Sequence, residues 1–138
     1  MPPLRRLIIG VILVVIAGIA ASGQAPALRS QHATAFVGAW VVDMTSPDEL
    51  KGTRETVRVW EKDGLIAASV QVGKFPPNDA TGILRDGDLL VLSTTMRENG
   101  VPIWVVFSLK VEGETMMLAQ MMEQSTTIKR GVGKKQVQ

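Results

Sequence analysis

"ENGVPIWVVFSLKVEG", residues Glu98–Gly113, decides the fold. Val101, Ile103, Val105, Phe107, Leu109 and Val111 alternate with Pro102, Trp104, Ser108 and Lys110. Successive side chains of a β-strand point to opposite faces, so this alternation is the signature of a strand with one buried side. Asn99-Gly100 stands before it and Glu112-Gly113 after it. Such pairs tolerate the positive φ that tight type I′-like hairpins need, so both neighbours of this strand in sequence are its neighbours in space.

Working outward, the same grammar repeats. Asp88 to Arg97 places Leu90, Leu92, Thr94 and Met96 on one side, and Thr81 to Arg85 precedes it through an Asp-Gly link. Leu65 to Val72 puts Ile66, Ala68, Val70 and Val72 on one face and joins Thr53–Glu61 through "KDG". Phe36 to Met44 reads as the first strand, with Gly38, Trp40, Val42 and Met44 together. Glu114–Glu123 and Ser125–Arg130 read as the last two. Between the first two strands, Ser46-Pro47 with Asp48 and Glu49, closed by Gly52, predicts one helical turn over Thr45–Gly52. "GKFPPND" carries two prolines that cannot donate to a ladder and reads as a loop.

About eight strands linked by tight hairpins form an up-and-down meander, and closure removes its two raw edges. The expected fold is therefore an all-β antiparallel meander closing into a barrel of roughly eight strands. A two-layer sandwich is the alternative, but it needs longer crossovers than the sequence provides.

The ends are different in character. "MPPLRR", the apolar run Leu7–Ala20 and the small residues of "ASGQA" form the three parts of a secretory signal peptide, expected over 1–23. The run is shorter than the ~20 apolar residues that span a bilayer, so a membrane anchor is the lesser reading, and membrane contact is expected only through this segment if it is not cleaved. The protein is accordingly expected to be exported, periplasmic or secreted. Residues 24–35 read as a disordered linker, 36–131 as the barrel domain and 132–138 as a disordered basic tail. Without Arg5 and Arg6, 13 of the 15 basic residues remain against 13 acidic ones, which argues against nucleic acid as a partner. The chain has no cysteine, so the exported domain must be held by its core alone.

"FVGAW", Phe36–Trp40, resembles the Gly-x-Trp opening of the calycin group, which comprises lipocalins, fatty-acid-binding proteins and avidins. The resemblance implies a lipocalin-like barrel whose floor is sealed by Trp40 beside Gly38. It also implies a basic residue of the last strand, Arg130 in "TIKRG" with Lys129 as alternative, lying across the indole. It covers these two ends and the hairpins between them. There is no lid of two helices, no cysteine pair and no tyrosine for the Arg-x-Tyr carboxylate anchor, so fatty-acid specificity is not implied.

Chemistry is sparse. The one histidine, His32, falls in the linker, most acids stand singly in turns, and no phosphate loop is present. No catalytic residue, metal ligand or cofactor is expected; the enzymatic alternative is proton transfer among Glu55, Arg58 and Glu123 lining a barrel. "MMLAQMME" puts Met116, Leu118 and Met122 on one face and Met117, Ala119 and Met121 on the other. Flexible thioethers suit apolar guests of variable shape. The leading expectation is an apolar small molecule in a lumen lined by Val70, Leu90, Leu92, Met96, Val105, Phe107, Met117 and Met121. The alternative is a non-enzymatic barrel that binds a protein, or a second copy of itself, through an exterior patch of Trp60, Trp104, Met116 and Met122.

Overall fold

A computed structural model describes residues 27–45, 52–123 and 125–137. The expected signal peptide and the helical turn within 46–51 lie outside the described residues. Nine strands form one antiparallel sheet: β1 (Gly38–Thr45), β2 (Thr53–Lys62), β3 (Leu65–Val72), β4 (Asn78–Asp79), β5 (Gly82–Asp86), β6 (Leu89–Glu98), β7 (Val101–Glu112), β8 (Thr115–Met122) and β9 (Ile128–Lys135). Their order is β4-β3-β2-β1-β9-β8-β7-β6-β5, so the first and last strands pair at the centre of the sheet. The tight links have the required backbone. Asp63-Gly64 and Asn99-Gly100 both have positive φ, as type I′ demands, whereas Gly87 and Gly113 supply it alone at the first loop position, as in type II′.

The sheet curls through 279° into an open half-barrel rather than the closed eight-stranded cylinder expected. The reason lies in "GKFPPNDATG", which supplies both edges. Asn78–Asp79 pairs with β3 and Gly82–Asp86 with β6. Between them the Ala80 N–H donates to the Ala68 carbonyl at 2.8 Å, and the Thr81 N–H donates to the Ser93 carbonyl at 2.8 Å. One stretch of chain thus hands over from one edge to the other, each half laddered on one side only. Pro76 and Pro77, which have no amide donor, stand just before β4, which has only two residues.

Two further departures concern the ends. Linker residues 27–35 are ordered against the sheet: Leu28–Ser30 hydrogen-bonds to Gly64 and Ile66, and two 3₁₀ turns, Ser30–His32 and Thr34–Phe36, bury Ala33 and Phe36. The last strand runs on to Lys135, through the expected tail. Gly131 and Gly133 look like strand breakers, but they are inward positions opposite Met44 and Val42. A Cβ at Gly131 would meet the Asp43 carbonyl oxygen and the Met44 sulfur. One at Gly133 would meet the Val41 carbonyl oxygen and the Val42 side chain. Glycine is the residue that lets β9 close on β1 here.

The core lies on the concave side. Trp40, Val42, Met44, Val57, Leu90, Val105, Phe107, Leu109 and Met116 have no exposed surface at all. Glu55 and Gln120 share that interior. With its amide nitrogen toward Glu55, Gln120 donates to both carboxylate oxygens at 2.8 Å and 3.0 Å, so the buried acid is met by a fixed donor.

Candidate functional site

Register sets which way every side chain points. Val105 pairs with Met122, Leu109 with Leu118 and Val111 with Met116. Those partners belong to the buried row of β7, so Met116, Leu118, Gln120 and Met122 turn inward. Met117, Ala119 and Met121 therefore turn outward, with Met117 39 % and Met121 47 % exposed. The expected roles of the four methionines are thereby exchanged. Met117 and Met121 do not line the interior, and Met116 and Met122 do not form an exterior patch. A strand with methionine on both faces carries no parity of its own. The two-residue loop Gly113-Glu114, which sets Glu112 opposite Thr115, decides it.

The other lumenal candidates do come together. Val70, Leu90, Leu92, Val105 and Phe107 are all at most 1 % exposed and belong to one cluster with Trp40, while Met96 is half-buried at its margin. Leu90, Val105 and Phe107 have no exposed surface and Val70 and Leu92 almost none, so these side chains are closely packed.

The floor is built differently from the expectation. Trp40 is fully buried, and its indole N–H donates to the Phe36 carbonyl at 2.8 Å. The cation over its ring is Lys135, with Nζ 5.7 Å from the centroid. Trp40 stands opposite Lys135 in the β1–β9 ladder, whereas Arg130 stands opposite Thr45, five residues along. At ~3.3 Å per residue that is about 17 Å away. Arg130 is also on the outward row and exposed, so neither position nor direction allows it to cover the indole. Lys129 is separated from Trp40 by the same register. Gly38, at φ 140°, leaves the space that the Lys135 side chain crosses, since a Cβ there would strike its Cε. A second cation, Arg85, lies 4.9 Å over the Phe36 ring at the same end.

Trp60 and Trp104 both face outward, 38 % and 45 % exposed, but they do not share a patch. Trp60 follows Val59, the partner of Gly38 at the Trp40 end. Trp104 follows Ile103, close to the β6–β7 turn at the opposite end. The supposed proton-transfer group is likewise dispersed. Glu55 is inside, Arg58 is on the outer face opposite Ala39, and Glu123 is exposed, accepting from the Trp104 backbone N–H at 3.3 Å. His32 is exposed on the first 3₁₀ turn, with its ring Nε2 3.3 Å from the Gln31 side-chain amide. No group of three His, Cys, Asp or Glu gathers among the described residues.

What the register does assemble is an apolar stretch on the convex face of β6 to β9. Met121 lies between Val106 on β7 and Ile128 on β9, and Met117 lies between Lys110 and Val132. Trp104 extends the Val106 row. Val132 is 60 % exposed, more than either methionine. Of these, Lys110, Met117, Met121, Ile128 and Val132 line a groove of about 680 Å³ together with Asp43 and Thr45 of β1. Asp43 and Arg130 stand in its wall, and Lys110 is held on one side by Asp88 and Glu112 at 3.6 Å and 3.5 Å. Ile128 and Val132 were not anticipated as members. Alternation in β9 would have found Val132 had the glycines not marked that segment as a tail.

Compared with family models, with curated proteins and with solved structures, the chain shows no significant match to any of them.

Proposed function

We propose that the protein is a non-catalytic interaction module that associates with a second copy of itself through the convex face of β7, β8 and β9. The observation that carries this reading is the outward pair Met117 and Met121, exposed on one strand with Val132 beside Met117 and Val106 and Ile128 beside Met121. Contiguous apolar surface bordered by charge marks interaction sites, and thioethers adapt to an opposing surface. A second copy is favoured over an unrelated partner by the charges. The groove holds Asp43 together with Arg130, whose guanidinium makes no ion pair among the described residues. A two-fold axis sets each residue of such a patch against its counterpart's neighbours, so opposite charges in one patch are self-complementary. The close burial of Val70, Leu90, Leu92, Val105 and Phe107 supports placing the function outside, because a guest among them would have to displace packed side chains. The basic head and apolar run of residues 1–23 support export of the module.

Sedimentation velocity over a concentration series tests the reading. The wild-type chain should pass from monomer to dimer, and Met121→Glu should remain monomeric at every concentration while keeping the same circular dichroism. A wild-type chain monomeric throughout, or a Met121→Glu dimer of undiminished affinity, would overturn it.

A further inference from the structure

A second groove, of about 500 Å³, lies on the outer face at the Trp40 end, away from the methionine surface. Its bottom is Ala39, a small residue on the outward row of β1. One wall is Arg58, directly opposite Ala39, with Trp60 two residues along the same face of β2. The other wall is Lys135 and Gln136, tied to the bottom by the Gln136 N–H donating to the Ala39 carbonyl at 2.8 Å. The lining contains two cations and no acid. Arg58 makes no ion pair among the described residues, and the Trp60 indole N–H has no hydrogen-bond partner there. Arg54 and Lys110, by contrast, are held by acids, Arg54 by Asp43 at 3.3 Å and Lys110 by Asp88 and Glu112.

We infer that this groove binds a small organic anion with a flat apolar body, an aromatic carboxylate by chemical class. A guanidinium presents a planar fork that matches a carboxylate bidentately, and the neighbouring indole offers a face on which a flat ring stacks. Ala39 leaves room between the walls for that ring, and Lys135, whose Nζ lies over the Trp40 ring, borders the groove from the opposite side. The inference is independent of the self-association proposed above, since the two grooves share no residue.

Naphthoate is the probe, with naphthamide as its neutral counterpart of the same shape. In a ¹H–¹⁵N titration of the full chain, naphthoate should shift the Trp60 indole resonance and the Arg58 signals while leaving the Trp104 indole in place. Naphthamide should bind at least about tenfold more weakly, and Arg58→Gln should weaken naphthoate by about the same factor, the size of one lost charge-assisted hydrogen bond. Arg58 is exposed on the outer face, so an otherwise unchanged spectrum verifies that the variant folds. The inference fails if naphthoate moves nothing at Trp60, if naphthamide binds as well, or if Arg58→Gln binds as tightly as the wild type.

Discussion

Lys135 does for Trp40 what Arg130 was expected to do, and a simple register decides between them. Both are basic residues late in the chain, separated by five positions, and a short resemblance at the two ends of a barrel does not contain the pairing. Only the ladder shows that Trp40 faces Lys135 and that Arg130 faces outward beyond Thr45. Lys135→Met should therefore destabilise the fold by about 0.5–1 kcal/mol, the range for a cation over an indole at an exposed site. Arg130→Ala should stay within ~0.5 kcal/mol of the wild type, as surface substitutions usually do. Urea unfolding followed by tryptophan fluorescence measures both. The reverse ranking would return the floor to the expected arrangement. Gly38 and Trp40 themselves were legible only through the Gly-x-Trp resemblance, which implied a large aromatic at the barrel end. The hydrogen bond from the indole to Phe36 was not, since Phe36 belongs to a 3₁₀ turn where the sequence suggests strand.

At the scale of elements, β7 could be read from its own residues while β8 could not. A row of Val, Ile, Phe and Leu against Trp, Ser and Lys declares its buried side. "TMMLAQMM" is nearly as apolar on one face as on the other, so its orientation had to come from the loop that precedes it. The resulting parity has a large consequence. Met116→Glu should fail to fold, because it sets an unpaired carboxylate among fully buried side chains at a cost of several kcal/mol. Met117→Glu, one residue on, should fold with unchanged near-ultraviolet circular dichroism. Equal tolerance at the two sites would mean that β8 is turned the other way. The end of β9 was hidden for the opposite reason. Two glycines within three residues resemble a frayed terminus, yet they are the positions at which Val42 and Met44 of β1 occupy the space of a side chain.

For the whole molecule, hairpin chemistry made the meander legible, but not where its ring fails to close. Tight links specify neighbours, and the pairing of β1 with β9 follows from a meander that curls on itself. The opening falls instead in mid-sequence, at the proline loop, where β4 and β5 each have one partner. Amide exchange should follow this asymmetry. The β1 and β9 amides, flanked by ladders on both sides, should exchange slowest, and those of β4 and β5 should exchange fastest among the strands. A uniform protection pattern around the sheet would indicate a closed ring.

Function belongs to this scale too, since it turns on whether the molecule works through its convex surface or through its interior. Native mass spectrometry of the protein purified from its own cells addresses that choice most directly. The account predicts dimers of unadorned polypeptide mass, which Met121→Glu converts to equally unadorned monomers. Monomers carrying the additional mass of an apolar small molecule, retained in Met121→Glu, would contradict it.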